Sequence, residues 1–246
     1  MSRAMTLVFA IAAYAIFFAT FLYLIVFVGD LSFSSRTVDV GPSAPVALAA
    51  VIDVGLIALF GIQHSAMARQ GFKARWTKFV PPPAERSVYV LAASIALIIL
   101  IVGWRPIDAV IWNIDNPAIS GIIWLLFWAG WGTVLLSTFL INHFELFGLQ
   151  QAWLHCRGRE CAKPEFRKPL LYKWVRHPLY LGFFLAFWAA PQMTAGHLLL
   201  AAGMGAYMLI AIRHEERDLV GLFGKAYEDY RTEVGMLTPR FRRRSS

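Results

Sequence analysis

The chain is poor in charge. Asp, Glu, Lys and Arg make up only 15% of its 246 residues, and 58% are hydrophobic. A soluble domain carries about 25% charged residues, so the deficit points to a bilayer rather than to water. Cysteine is equally scarce. Cys156 and Cys161 stand alone in a basic segment, four residues between them and no matching second pair. That argues against a metal site, and both are expected to be reduced thiols. The common nucleotide and zinc-hydrolase signatures, a Gly-rich phosphate loop and an HExxH pair, are missing too. No small-residue cleavage pattern ends the first apolar run, so this run is expected to be retained as a helix.

What the chain does have is long apolar runs. Residues 7–28 are 22 uncharged positions, more than the roughly 20 that span a bilayer core. Further runs cover about 46–68, 87–103 and 119–141, with breaks at Gly41-Pro42, Pro81-Pro82-Pro83 and Arg105-Pro106. A last apolar zone, 179–212, is interrupted at 191–196 and reads as a helical hairpin with arms of about 12 and 16 residues. Both arms are short for a full crossing. The predicted fold is an all-α, polytopic integral membrane helix bundle: four long transmembrane helices plus a C-terminal helical hairpin. It forms one domain over 1–246. Residues 1–142 supply the N-terminal helices, and 143–246 supply a loop, the hairpin and a C-terminal binding segment.

The basic residues orient this bundle. Of 23 Lys and Arg, 21 lie at position 3 or within 69–86, 157–176 and 213–244; only Arg36 and Arg105 fall in the alternate loops. The positive-inside rule then places both termini in the cytoplasm. The Arg242-Arg243-Arg244 tail is expected to touch anionic lipid headgroups, and nothing beyond net charge supports a nucleic-acid role. Asp53 is the one clearly intramembrane ionisable residue. Its expected role is a buried hydrogen bond to a neighbouring helix. With no internal repeat, a transporter is the least favoured class. His197 and the tryptophans Trp104, Trp112, Trp124, Trp128 and Trp131 read as interfacial or packing residues.

Polar chemistry gathers at the two ends of the hairpin. One is Tyr172-Lys-Trp-Val-Arg176-His177-Pro178-Leu-Tyr180-Leu-Gly182; the other is Arg213-His-Glu215-Glu216. Pro178 suits a first helical turn, where its missing N–H has no partner to lose. Arg176 and His177 then sit at a helix mouth that favours an anion. Gly182, four residues on, would leave room for a flat ring. Glu215 and Glu216 follow a helix end whose dipole disfavours them. They either face a ligand bearing hydroxyls or positive charge, or pair with Arg213, Arg217 or Arg176.

Arg176-His-Pro-Leu-Tyr-Leu-Gly182, Glu215-Glu216-Arg-Asp-Leu219 and Gly224-Lys-Ala-Tyr227-Glu-Asp-Tyr230 together resemble the C-terminal signature of the isoprenylcysteine carboxyl methyltransferase superfamily, which includes NnrU-like proteins. The resemblance implies a cytoplasmic S-adenosylmethionine (SAM) site. On this chain its residues would be Tyr172, Arg176, His177, Pro178, Tyr180, Gly182, Arg213, Glu215, Glu216, Tyr227 and Tyr230. The usual hydrophobic-Pro ending departs here to Val234-Gly-Met-Leu-Thr-Pro239. Upstream, Gln63-His64-Ser65-Ala66-Met67-Ala68-Arg69, Glu85-Arg86-Ser87 and Asn142-His143-Phe144-Glu145-Leu146-Phe147-Gly148-Leu149-Gln150 resemble the methanethiol S-methyltransferase family. This likeness spans nearly the whole chain.

That resemblance implies methylation of a small hydrophobic thiol, methanethiol to dimethyl sulfide, in an expected bacterial inner membrane and among membrane lipids as partners. The alternative acceptors are lipid-like: a prenylated cysteine carboxylate or a phospholipid amine. Thiols near pKa 8.5 are mostly protonated at neutral pH, and the thiolate is the nucleophile, so a base is expected. His64, His143 and Glu145 are the candidates, unranked. A sulfonium favours aromatic faces, which Tyr172, Trp174 and Tyr180 offer.

Overall fold

The computed structural model describes residues 2–161 and 165–240; the Arg242–Arg244 tail lies outside them. The first long helix, α1 (Arg3–Val28), is capped by the Ser2 hydroxyl, which accepts from Met5 N. It is followed by α2 (Val46–Ala68), a short α3 (Gln70–Trp76) and α4 (Pro82–Gly103). Prolines open α4, where a missing N–H leaves nothing unsatisfied. A short strand, β1 (Val110–Asn113), precedes α5 (Pro117–Ile141), whose first turn is held by the Asn116 side chain accepting from Ala118 N and Ile119 N. Then come α6 (His143–Leu146), α7 (Leu149–Cys156), a 3-10 turn (Leu170–Lys173), α8 (Pro178–Trp188), β2 (Gln192–Thr194), α9 (Ala195–Phe223) and α10 (Lys225–Glu233).

Five of these helices, α1, α2, α4, α5 and α9, are long and apolar enough to cross a membrane. Their outer faces carry large apolar side chains in the open, such as Val8 at 67% and Leu125 at 68% exposure. A water-soluble bundle would hide these, so the fold is the expected all-α membrane bundle. The hairpin differs in one respect from its reading in the sequence. Its first arm, α8, has 11 residues, but its second, α9, has 29. The apolar run ends near Ile212, yet Arg213 to Leu219 are mostly good helix formers and carry the helix onward. Hydropathy marks where the lipid-facing stretch stops, not where the helix does. The stop comes at Gly224, whose φ of +55° suits a residue without Cβ.

At the end of the bundle away from most basic residues, β1 and β2 pair antiparallel, with Val110 opposite Thr194. Thr194 accepts from His197 N, opening α9, and its hydroxyl donates to Asp39 Oδ1 at 2.5 Å. His197 is buried, its Nε2 2.9 Å from the Phe187 carbonyl, so it ties the two hairpin arms together. Asp53 is fully buried and accepts the Arg105 backbone N–H at 2.9 Å, just past the end of α4. The hydrogen bond is buried as expected, but its partner is the loop that leaves α4 and not the helix itself. Trp104 and Trp131 are core residues, Trp104 donating to the Val38 carbonyl, whereas Trp128 lies on the outer surface.

Helices α5 and α8 pack with backbones in contact. A Cβ on Gly182 would lie 2.7 Å from the Gly130 carbonyl oxygen, and one on Gly130 would lie 2.8 Å from that of Gly182. This corrects the role read for Gly182 from sequence. The space beside it is filled by α5, so it accommodates a helix and not a flat ligand ring.

Candidate active site at the basic end of the bundle

The opposite end gathers the start of α1, the ends of α2, α5 and α9, and the starts of α4 and α8. Pro178 is the first residue of α8, as the sequence implied, and His177 is its N-cap. The backbone just before it is pinned to the C-terminal tail: Val175 bridges Gly235, Arg176 N donates to Gly235 O at 2.8 Å, and His177 N donates to Met236 O at 3.1 Å. A short side-chain core of Tyr227, Tyr230 and Val234 packs with Phe166 and Phe223 beneath this tail. Tyr230 Oη donates to the Tyr172 carbonyl at 2.5 Å. Burial pushes the Tyr230 phenol up to about 12 and raises those of Tyr172 and Tyr227, so all three stay protonated at neutral pH.

Glu216 is the hub. Its Oε1 accepts from Arg176 Nε at 2.8 Å and lies 3.0 Å from His177 Nε2, while Oε2 is 3.2 Å from Arg231 Nε. Of the two roles open for Glu216 in the sequence, the structure shows ion pairing. A second contact fixes Arg176 further, since its Nη1 donates to the Arg231 and Val234 carbonyls. The guanidinium is thus oriented from three sides. Beside it opens a cleft of about 530 Å³ lined by Arg176, Glu228, Arg231, Thr232, Met236 and Arg240. That volume lies within the range of small-molecule sites, and its three guanidinium groups suit a carboxylate while Glu228 suits an ammonium.

Glu215, one position earlier on α9, belongs to a different group. Its carboxylate lies within electrostatic reach of the Tyr89, Tyr180 and Tyr207 hydroxyls. Tyr89 Oη is 2.7 Å from His64 Nε2, and the His64 ring stacks on Phe60 and meets Tyr207 edge-on. The Arg86 guanidinium sits 5.2 Å from the centre of the Tyr89 ring. Successive glutamates on one helix end therefore face the arginine cleft and an aromatic cluster. Tyr180 links the two sides, its ring edge-on to that of His177 at 5.7 Å.

The other two base candidates do not join this cluster. His143 is buried between α1 and α5, with Nδ1 2.8 Å from Thr138 Oγ1, Nε2 2.8 Å from Tyr14 Oη, and its ring stacked on Phe139. Burial lowers its pKa. Glu145 accepts from Asn142 Nδ2 at 2.9 Å, in the short α6 that follows the end of α5. Arg213 and Trp174 are exposed, and Cys156 and Cys161 are free thiols. Sequence reasoning missed Tyr89, Tyr207 and Arg231. The two tyrosines look like ordinary helix aromatics until the fold brings α2, α4 and α9 together, and Arg231 sits among surface charges with no local signal.

The chain aligns with curated proteins along nearly its full length. It is 53% identical to the methanethiol S-methyltransferase of Mycobacterium tuberculosis, covering 97% of the chain and 98% of that protein. It is 52% identical to methanethiol S-methyltransferase 1 of Bradyrhizobium diazoefficiens, covering 94% and 81%. The chain belongs to the methanethiol S-methyltransferase family. The enzyme of that name from a Pseudomonas species is 47% identical over 95% of the chain and 90% of its own length. A broader family model, described as NnrU protein, matches residues 54–242. The match takes in both groups of the basic end, from His64 on α2 to Arg231 on α10. No solved structure matches the chain.

Proposed function

We propose that the protein is an integral membrane, SAM-dependent methyltransferase whose acceptor is a small thiol, converting methanethiol to dimethyl sulfide. The observation that carries this reading is the full-length identity to methanethiol S-methyltransferases. The cleft at the basic end supports it, because its donors match a zwitterionic amino-acid ligand. Arg176, Arg231 and Arg240 would hold the carboxylate by charge-assisted hydrogen bonds, and Glu228 the ammonium. Glu216, itself bonded to His177, and the Arg231 and Val234 carbonyls keep Arg176 in place. Tyr227 and Tyr230 pack the tail that forms the far wall. Tyr172 and Tyr180 lie within electrostatic reach of Glu215 and would, with Arg213, complete the cofactor site in this reading. When bound, SAM supplies an electrophilic methyl group on a sulfonium.

Methyl transfer of this kind is a direct displacement, so the protein's tasks are alignment, exclusion of water and removal of the thiol proton. The aromatic cluster of Phe60, Tyr89, Tyr180 and Tyr207 offers apolar walls to a small thiol and π faces to a nearby cation. In this reading the basic end, and with it both termini, lies on the cytoplasmic side of a bacterial inner membrane, where SAM is made; the one-sided distribution of Lys and Arg supports that orientation.

The test is headspace gas chromatography of detergent-solubilised protein given methanethiol and SAM, beside a calorimetric titration with SAM. Dimethyl sulfide is expected, with saturable heat. No heat with SAM sinks the methyltransferase reading. SAM binding with label in a lipid extract, and no dimethyl sulfide, moves the acceptor to the lipid class.

A further inference from the structure

We infer that His64, oriented by the Tyr89 hydroxyl, is the residue that takes the proton from the thiol; this rests on the methyltransferase reading above. The geometry separates the candidates. His143 has both ring nitrogens within hydrogen-bonding distance of hydroxyls and a ring clamped by Phe139, so no lone pair is left for a substrate. Glu145 is held by Asn142, whose amide also donates to Gln150. Both belong to the turn that packs α5, α6 and α7. His64 is different: Nε2 has Tyr89 at 2.7 Å, while Nδ1 is buried and has no partner among the described residues.

A buried ring nitrogen without a partner loses its hydration and regains nothing, a cost that a structural histidine would avoid. In the tautomer whose Nε2–H donates to Tyr89 Oη, Nδ1 presents a bare lone pair. Around the His64–Tyr89 pair stand Phe60 and Tyr207, with the Arg86 guanidinium against the Tyr89 ring and the Glu215 and Glu85 carboxylates within electrostatic reach of its hydroxyl. The step balances simply. The S–H bond breaks, its proton goes to Nδ1, and the sulfur electron pair forms the new C–S bond. The donor's old C–S bond breaks, with its electrons staying on the departing thioether sulfur. His64 then releases the proton to water, one per turnover.

The test uses two nearly isosteric acceptors, ethanethiol and 2,2,2-trifluoroethanethiol, whose fluorines acidify the S–H. His64→Gln keeps an amide within reach of Tyr89 but offers nothing basic. Ethanethiol turnover is expected to fall on the order of 10²-fold or more, the usual worth of a general base. Turnover of the fluorinated thiol should fall by less than about tenfold, because an ionised acceptor needs no base, with SAM affinity kept. Tyr89→Phe, which loosens the imidazole, should show a smaller loss with the same bias. Equal losses on both thiols, or none on either, in whichever variant folds, overturn the assignment. Wild-type protein that binds no SAM overturns the methyltransferase reading itself.

Discussion

Arg176 Nε meets Glu216 Oε1 at 2.8 Å across forty positions of sequence, and the two side chains are only 10% and 9% exposed. A pair this buried is held by mutual need, since removing one charge strands the other. Glu216→Gln keeps the shape but removes the charge that orients Arg176, His177 and, less strongly, the half-exposed Arg231. SAM affinity measured by calorimetry is expected to drop at least about tenfold, the effect of losing ~1.4 kcal/mol of orientation. His177→Ala should act in the same direction. Asp53→Asn, at the other end of the bundle, should leave affinity within about twofold. The same affinity in all three variants would place the cofactor elsewhere.

The membrane class and most helices were legible because lipid solvation writes itself into composition: a run such as residues 7–28 has no other use. The C-terminal polar motif was legible too, as Arg176, His177 and Glu216 do converge. What could not be read was which of these groups consume one another. Glu216 seen in sequence either faces a ligand or pairs with an arginine; in the fold both its oxygens are taken, by Arg176, His177 and Arg231. Likewise Gly182 looked like room for a ring until α5 filled it. The base candidates were indistinguishable in sequence because the difference lies in Tyr14, Thr138 and Tyr89, each remote from its histidine along the chain except Thr138.

The Gly130–Gly182 contact makes a sharp stability prediction. A methyl at either position would meet backbone atoms at 2.7–2.8 Å, and backbone cannot rotate away as a side chain can. Gly182→Ala should force α8 off α5 and destabilise by about 1–3 kcal/mol. Gly132→Ala, whose Cβ meets nothing within 4 Å, should be neutral or slightly stabilising through helix propensity. Thermal unfolding in a fixed detergent compares the two. A Gly182→Ala midpoint at or above that of Gly132→Ala would mean the helices do not approach this closely.

Asp39 gives a pH signature at the far end. Burial pushes its carboxyl up to about 6; the Thr194 hydroxyl partly opposes this, and Asp30 and Asp108 add to it. A pKa above the unfolded value means the folded state binds the extra proton between about pH 4 and 6. That contribution is present below the unfolded pKa and lost as pH rises through 6. Asp39→Asn, which can still accept from Thr194, should therefore be more stable than the parent above pH 6. The gain should be roughly 1–2 kcal/mol once solvent screening of a half-buried group is allowed for. Below about pH 4 the advantage should vanish. Unfolding midpoints across pH 4–8 decide it, and a gain that does not vary with pH would point to packing instead of ionisation.

His143 should produce the opposite slope. Burial lowers its pKa in the folded state, while in the unfolded chain the imidazole titrates near about 6.5. Just below that value the unfolded chain takes up a proton that the folded chain refuses, so this residue's contribution falls as pH drops below about 6.5. The refusal has a structural cause: protonation would make both ring nitrogens donors, so the Tyr14 and Thr138 hydroxyls would both have to accept within an aromatic box of Phe139, Phe144 and Phe147. His143→Gln should lower stability at pH 8 and flatten the loss between pH 7 and 5. Tyr14→Phe, which removes one hydroxyl partner, should lower it by about 1 kcal/mol and keep the slope. If His143→Gln loses stability with acid as steeply as the parent, the imidazole is not the group that titrates there. The α1–α5 contact would then owe its acid sensitivity to another residue.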